Sequence, residues 1–301
     1  MKFSAIQQAI LREVIYAEVF HRPVHLMDIW KRLPAIHASE SEVYTSVLSL
    51  ISNNTLYLRD GYVARSTKLL GRINHWRDTQ KKLEVELWMI QRFFGAIPGI
   101  VEVYLTGSVA AGLPDEDHDL DFMIVTKPQM VWIVRILVAP IVILIGKYAP
   151  FHQEKDLRGV STTSKSRAGA WCLNLWTSSD VLEIPKERRS LYTAHEVVLA
   201  RPLLHRDQNP LLEQNSWVRS YFPNLKRKKF LEKSSMPLKG ILGKLLTILN
   251  RGCFSLQYQY MKRHRTIERV TIDSAFFHPR KTSRLVMNRY SILCQRSKIE
   301  P

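Results

Sequence analysis

The chain has 301 residues, of which 46% are hydrophobic, so it is long enough for two or three packed domains and too apolar to be intrinsically disordered. Its formal net charge is +17, which favours polyanionic partners such as RNA, nucleotides or anionic lipid. The three cysteines are far apart and lack zinc-binding spacing, and the N-terminus has no signal-peptide segment, so we expect a reducing, cytoplasmic location.

The first 65 residues carry signals for three helices followed by a hairpin. Apolar residues at helical spacing predict a helix over Ala5–Phe20, and a shorter helix is expected over Val24–Leu33. The capping-box pattern Ser39-x-x-Glu42 begins a third helix, and alternating residues around Asp60–Gly61 predict a hairpin. This order of elements predicts a winged-helix domain over residues 1–65.

A winged helix suggests DNA binding, with the third helix in the major groove. The polar face of that helix contains Glu40 and Glu42 but no Lys or Arg, whereas phosphate contacts need cations. We therefore expect this domain to dock a protein or form a homodimer rather than to bind DNA sequence-specifically. Residues 66–98 then predict a charged, amphipathic linking helix.

The most informative segment lies between residues 101 and 126. A β-rich run ends in a tight turn at Gly107 and Ser108, and a second β-rich run begins with Asp119 and Asp121. On a strand the side-chain period is two, so both carboxylates are expected on one face. Two carboxylates form a hard oxygen site suited to Mg²⁺, and a Gly-Ser turn lets backbone N–H groups approach a phosphate.

This order of strand, Gly-Ser turn, short helix and Asp-x-Asp strand resembles the DNA polymerase β-like nucleotidyltransferase superfamily. The resemblance implies an α+β fold: a mixed β-sheet with flanking helices, here preceded by the winged helix and followed by a helical C-terminal region. It implies that Asp119 and Asp121 are catalytic and hold two Mg²⁺ ions. Gly107 and Ser108 would bind the triphosphate of a nucleoside triphosphate.

Known members of the superfamily mostly add a third acid from a neighbouring strand. The best later strand is Ala170–Thr177, whose central polar residue is Asn174, and Asp180 and Glu183 follow just beyond it. An Asn side chain can offer a carbonyl oxygen to a metal but is a poor general base. Three alternatives stay open: Asn174 replaces the third carboxylate, it is a satisfied core amide, or Asp180 or Glu183 supplies the acid.

Residues 131–146 form a very apolar segment. It is shorter than the roughly 20 residues needed to cross a bilayer, and Arg135 and Pro140 interrupt it. We expect a helix buried against the sheet. Peripheral contact with an anionic membrane stays open, because the C-terminus of the chain is basic.

The nucleotidyltransferase core is predicted over residues 99–207 and the basic helical C-terminal region over 208–301. The core should end with a helix over Tyr192–Leu204 that begins at the capping box Thr193-x-x-Glu196. His195 stands in the first turn of that helix, where a surface or packing role is favoured over catalysis. Residues 226–301 contain 18 Lys and Arg against 4 Asp and Glu, with a long helix expected over Lys239–Arg263.

The resemblance implies a Mg²⁺-dependent nucleotidyltransferase that moves a nucleoside monophosphate from a nucleoside triphosphate to an acceptor hydroxyl. The acceptor, a small molecule, a protein or RNA, and the base preference are not specified by the sequence. Two alternatives belong to other classes of protein. One is a non-catalytic nucleotide sensor or docking protein with a degenerate transferase domain. The other is an RNA-binding protein that uses the basic C-terminal region.

Overall fold

The computed structural model describes residues 3–112, 119–148, 169–205, 209–226, 240–262, 269–276 and 281–301. In chain order the helices α1 to α12 are Ala5–Val19, Leu26–Lys31, Glu40–Ser52, Thr67–Leu70, Ile73–Gly95, Gly107–Ala110, Val131–Leu144, Leu191–Leu199, Pro210–Gln214, Val218–Tyr221, Gly240–Lys262 and Lys281–Arg296. The strands β1 to β9 are Val24–His25, Tyr57–Arg59, Tyr62–Ala64, Ile100–Thr106, Leu120–Thr126, Trp171–Ser178, Arg201–Pro202, Arg269–Val270 and Ser274–Phe276.

The N-terminal region follows the predicted order of elements. Ser39 and Glu42 form the expected capping box at the start of α3. The predicted hairpin is β2–β3, and its turn residues Asp60 and Gly61 both have positive φ, as a tight hairpin turn requires. The predicted second helix is shorter than expected, because Val24 and His25 pair with β3 instead. These elements, with their three-stranded antiparallel sheet, are those expected of the predicted winged helix.

The exposed side of α3 has the composition expected from the sequence. Its solvent-exposed residues include Glu40, Glu42, Tyr44 and Leu48, and the helix contains no Lys or Arg. A surface of this kind lacks the cations that DNA phosphates need. Weak DNA binding by this region therefore stays our prediction.

The hydrophobic core of the N-terminal region includes residues from the far end of the chain. Val286, Tyr290 and Cys294 of α12 are buried against α1–α3, and Ile299 joins them. Arg12 Nε also donates a hydrogen bond to the Glu300 carbonyl at 2.8 Å. The predicted C-terminal region is thus divided: α12 completes the N-terminal core, whereas α11 packs against α7.

The second core surrounds a six-stranded mixed sheet with the order β7-β4-β5-β6-β9-β8. β4 and β5 are antiparallel, and β5 and β6 are parallel. This architecture confirms the predicted fold class of a mixed sheet with flanking helices. The sheet extends beyond the region predicted for it, because β8 and β9 come from residues 269–276 and pair with β6. Strands of two and three residues carry no periodic signal in the sequence.

The two faces of the sheet pack against different helices. Leu120, Phe122 and Ile124 of β5 lie in one core with α5 and α7. Met123 and Val125 point to the other face, where they pack with α8. The predicted linking helix is divided into α4 and α5, with the break at Gly71–Arg72. The longer part, α5, packs against the face of the sheet that contains Leu120, Phe122 and Ile124.

The apolar segment 131–146 forms α7, as expected. One side of the helix, which includes Trp132, Val134 and Val138, is fully buried against the sheet. Leu137, Ile141 and Leu144 on the other side are exposed. Within the described part of the chain, no helix is both long enough and apolar enough to span a bilayer.

Candidate active site

The site lies where β4 ends and β5 begins. Thr106, the last residue of β4, pairs with Asp121, and its hydroxyl donates a hydrogen bond to the Asp121 carbonyl at 3.2 Å. The chain then turns sharply at Gly107, which has a φ of +66°. A Cβ atom at this position would collide with Oδ2 of Asp121. Only glycine permits both the left-handed backbone and this close approach of the turn to the carboxylate.

The alternation of β5 fixes the face on which Asp121 lies. Leu120 and Phe122 point into the core with α5 and α7, so Asp121 points towards the face that α8 covers. Asp119 directly precedes the strand and is buried, with 8% of its surface exposed. Gly107 and Ser108 are exposed to solvent. The arrangement therefore combines recessed carboxylates with an accessible backbone turn.

Helix α8 brings a further acid towards the site, one that the sequence analysis treated only as a capping residue. The helix begins at Leu191, and its capping box is formed by Ser190 and Thr193. Glu196 is therefore in the middle of the helix and partly buried. Burial, and after it the negative charge of Asp121, raise the pKa of its carboxyl to about 7 against the opposing effect of Arg22. Asp121 and Glu196 thus form a pair of like charges.

The charge of Asp121 also affects a second residue of α8, Tyr192. Burial raises the pKa of the Tyr192 hydroxyl well above its ordinary value, and the charges of Glu196 and then Asp121 add to that effect. A signal for Glu196 was present in the sequence. It is an acidic residue in an otherwise apolar helical segment, with no Lys or Arg three or four positions away to pair with it.

His195 has a packing role, as the sequence analysis favoured. Its ring is 1% exposed, and its Nε2 lies 2.9 Å from Oε2 of Glu13 in α1. The ring stacks on Tyr16, with centroids 3.5 Å apart. Arg32 donates from Nε to the other oxygen of Glu13 at 2.7 Å. His195 therefore joins the N-terminal core to α8.

The register between β5 and β6 places Asp180 far from Asp121, so Asp180 does not supply the third acid. In the parallel pair of β5 and β6, Cys172 is the partner of Asp121 and Ser178 is the partner of Thr126. Five residues of a strand span roughly 16 Å. Asp180, which accepts a hydrogen bond from the Ser178 hydroxyl, therefore lies beyond the opposite end of these strands. Glu183 is further along the chain and forms an ion pair with Arg189 at 2.7 Å.

Asn174 belongs to β6, where the register with β5 shifts. Cys172 pairs with Asp121 and Leu175 with Met123, so one extra residue of β6 falls between the two pairs. The backbone of Asn174 is thus near the strand segment that carries Asp121. The side chain of Asn174 lies outside the described part of the structure, as do residues 113–118 before Asp119. The two alternatives that concern Asn174 stay open.

The donors present fit a magnesium ion that shares its ligands with a substrate. No three metal-binding side chains converge among the described residues. Mg²⁺ is usually held by one or two carboxylates together with substrate phosphates, and Asp119 and Asp121 provide carboxylates of this kind. The like-charge pair of Asp121 and Glu196 also favours a magnesium site, because a bound cation would relieve the repulsion between the two carboxylates.

Comparison with known families identifies the segment that contains this site. Residues 88–144 match the family model of the nucleotidyltransferase domain, a match that extends from the second half of α5 to the end of α7. No curated protein and no solved structure matched the chain. The match excludes the N-terminal region, so the winged-helix assignment stays a prediction. The matched segment includes Gly107, Ser108, Asp119 and Asp121, so residues 88–144 are similar to a nucleotidyltransferase domain, in agreement with the resemblance to the DNA polymerase β-like superfamily.

Proposed function

We propose that the protein is a Mg²⁺-dependent nucleotidyltransferase that moves a nucleoside monophosphate from a nucleoside triphosphate to an acceptor hydroxyl. The observation that carries this proposal is the packing of the Gly107 turn directly against the Asp121 carboxylate, within the segment that matches the nucleotidyltransferase domain. An exposed backbone turn beside recessed acids is suited to a phosphate that reaches the acids through a divalent cation.

Each residue has a role in this proposal. The backbone and hydroxyl of Ser108, with the backbone of Gly107, bind and orient the triphosphate. Asp119 and Asp121 hold the metal, which when bound neutralises the charge that develops on the phosphate. Glu196 replaces Asp180 and Glu183 as the candidate third acid, because it is the carboxyl group on which the Asp121 charge acts.

The first test is nucleotide binding measured by calorimetry, with and without Mg²⁺, for each of the four common nucleoside triphosphates. We expect Mg²⁺-dependent binding that the double variant Asp119→Asn/Asp121→Asn abolishes. The matched control is Asp180→Asn/Glu183→Gln, which neutralises two acids outside the proposed site and should leave binding unchanged. Equal binding by the wild type and the first double variant would disprove the proposed site.

The second test seeks transfer itself. The protein is incubated with labelled nucleoside triphosphate, Mg²⁺ and cell extract, and a labelled product is sought. A product that depends on Asp121 supports the enzyme. Because no third metal ligand converges on the described acids, a non-catalytic nucleotide sensor is the specific rival. Metal-dependent nucleotide binding without a labelled product in any extract would favour that rival.

We also propose that the protein works in the cytoplasm. Its chemistry would need nucleoside triphosphates, and its cysteines Cys172, Cys253 and Cys294 form no disulfide bond, as a reducing compartment permits. Cell fractionation with an antibody against the chain tests this assignment. Recovery from an oxidising compartment would contradict it.

A further inference from the structure

Helix α11 uses one side to pack on the transferase core. Asn250 is buried there, and its side-chain oxygen accepts a hydrogen bond from the Trp132 backbone N–H at 2.9 Å. Gln257 donates a hydrogen bond to the Trp132 carbonyl, also at 2.9 Å. Phe254 packs its ring edge-on against the Trp132 ring. These contacts fix the orientation of α11 and determine which side faces away from the protein.

The opposite side of α11 is apolar and exposed. Its large residues have between 54% and 80% of their surface accessible, namely Ile241, Leu245, Ile248, Leu249 and Leu256. Their spacing of four, seven, eight and fifteen residues from the first places them on one face of a helix. A soluble surface rarely leaves so many large apolar side chains together unless they meet a partner. The packing helix α7 exposes Leu137, Ile141 and Leu144 as well.

The charge beside this apolar face has a single sign. Lys244, Arg251 and Lys262 are exposed, and their spacing of seven and eleven residues aligns them along one flank of the helix. Neither α11 nor α7 contains an Asp or Glu. In the sequence immediately before α11, residues 226–239 contain six Lys and Arg and one Glu.

From this combination we propose that the apolar face of α11 binds an anionic phospholipid surface, with the helix lying in the plane of the interface. Helices that lie on membranes combine an apolar face with a basic flank, and each cation near an anionic surface adds to binding. A second copy of the chain fits less well, because pairing two α11 faces would bring together two rows of cations with no acids between them. This proposal is independent of the transferase chemistry.

The test uses the full-length protein and sedimentation with vesicles of phosphatidylcholine alone or mixed with phosphatidylserine. We expect binding to the mixed vesicles only, weakening as salt is raised. Lys244→Gln/Arg251→Gln should weaken it roughly 30-fold, since each cation near the surface contributes about fivefold. The control Arg284→Gln/Arg296→Gln removes the same charge from exposed positions on α12 and should lower binding much less.

A second pair of variants tests the apolar contact. Ile248→Asp places an acid in the centre of the face and should weaken vesicle binding by at least about tenfold, because it removes one aliphatic side chain that the lipid would bury. Ile292→Asp makes the same change on α12, where the isoleucine is 49% exposed, and should bind as the wild type does apart from its charge. Circular dichroism verifies that both variants remain folded.

Three results would overturn the proposal. The first is that the wild type fails to sediment with the phosphatidylserine vesicles. The second is that Ile248→Asp and Ile292→Asp bind equally well. The third is that light scattering shows a dimer, that Ile248→Asp converts it to a monomer, and that neither form binds vesicles. This result would show that the apolar face of α11 contacts a second copy of the chain. Vesicle binding retained in Asp121→Asn separates this proposal from the proposed function.

Discussion

Glu13, which contacts α8, and Glu196, which belongs to α8, have opposite electrostatic surroundings. Burial alone would raise the pKa of Glu13, but Arg32 and His195 outweigh that effect and hold it below its ordinary value. Glu196 follows His195 on the helix, yet burial and the charge of Asp121 raise its pKa to about 7. The first acid is neutralised by its partners, whereas the second is held near a like charge. The contrast indicates that Glu13 connects parts of the fold, whereas Glu196 belongs to a site suited to a cation.

The largest effect is expected from breaking the neutralised cluster. Glu13→Ala removes the closer carboxylate partner of Arg32, leaving only Asp28 at 3.8 Å, and removes the link from α1 to His195. Removal of one partner of a buried pair typically costs about 3–5 kcal/mol. Urea unfolding of the full-length protein measures this loss. A change below about 1 kcal/mol would show that the cluster does not hold the two cores together.

Substitution of Glu196 should have a smaller effect that depends on pH, and it should raise the free energy of unfolding rather than lower it. Since its folded pKa is raised, its contribution to stability is present below its ordinary pKa and is lost as the pH rises through about 7. Glu196→Gln removes that loss. Relative to the wild type, the variant should gain roughly 2–3 kcal/mol of unfolding free energy between about pH 5 and about pH 8.

The measurement for Glu196 is urea unfolding of both proteins across that pH range. Glu183→Gln provides the control, because Glu183 is exposed and paired with Arg189. A constant difference between Glu196→Gln and the wild type at every pH would contradict the like-charge pair.

The smallest change in stability is expected for substitution of Gly107 in the turn after β4. This substitution should also have a separate effect on nucleotide binding. Gly107→Ala introduces a Cβ both into a left-handed backbone and against the Asp121 carboxylate. Gly112→Ala is matched, because Gly112 has a φ of +81° but nothing lies within 4 Å of its added Cβ. Both should lose about 1–2 kcal/mol from backbone strain. Only Gly107→Ala should also weaken Mg²⁺-dependent nucleotide binding, measured by calorimetry. Equal weakening of nucleotide binding by the two variants would show that the close approach of Gly107 to Asp121 has no role in binding.

Local signals in the sequence predicted the parts of the fold that depend on neighbouring residues. The hairpin at Asp60–Gly61 and the cap of α3 at Ser39 follow from turn and capping chemistry within a few positions. The relation of Gly107 to Asp121 was also predictable, because β4 and β5 follow one another in the chain and pair as antiparallel neighbours. These features involve contacts between residues near one another in the chain.

Contacts between distant parts of the chain could not be predicted in the same way. Glu196 is next to Asp121 only because α8 leads into β7, and β7 pairs with β4 beside the turn. The partition of the C-terminal helices depends on apolar faces that look alike in the sequence. Only the packing of Tyr290 in the N-terminal core and of Asn250 beside Trp132 distinguishes α12 from α11.

The position of α12 has a consequence for biosynthesis. When α1, α2 and α3 have left the ribosome, the residues that cover one side of their core, Val286, Tyr290 and Cys294, have not yet been made. Closure of so distant a contact is slow, and an open apolar surface invites association with other chains. We therefore expect the nascent N-terminal region to need a chaperone until the last helix arrives, and chains truncated before residue 281 to aggregate.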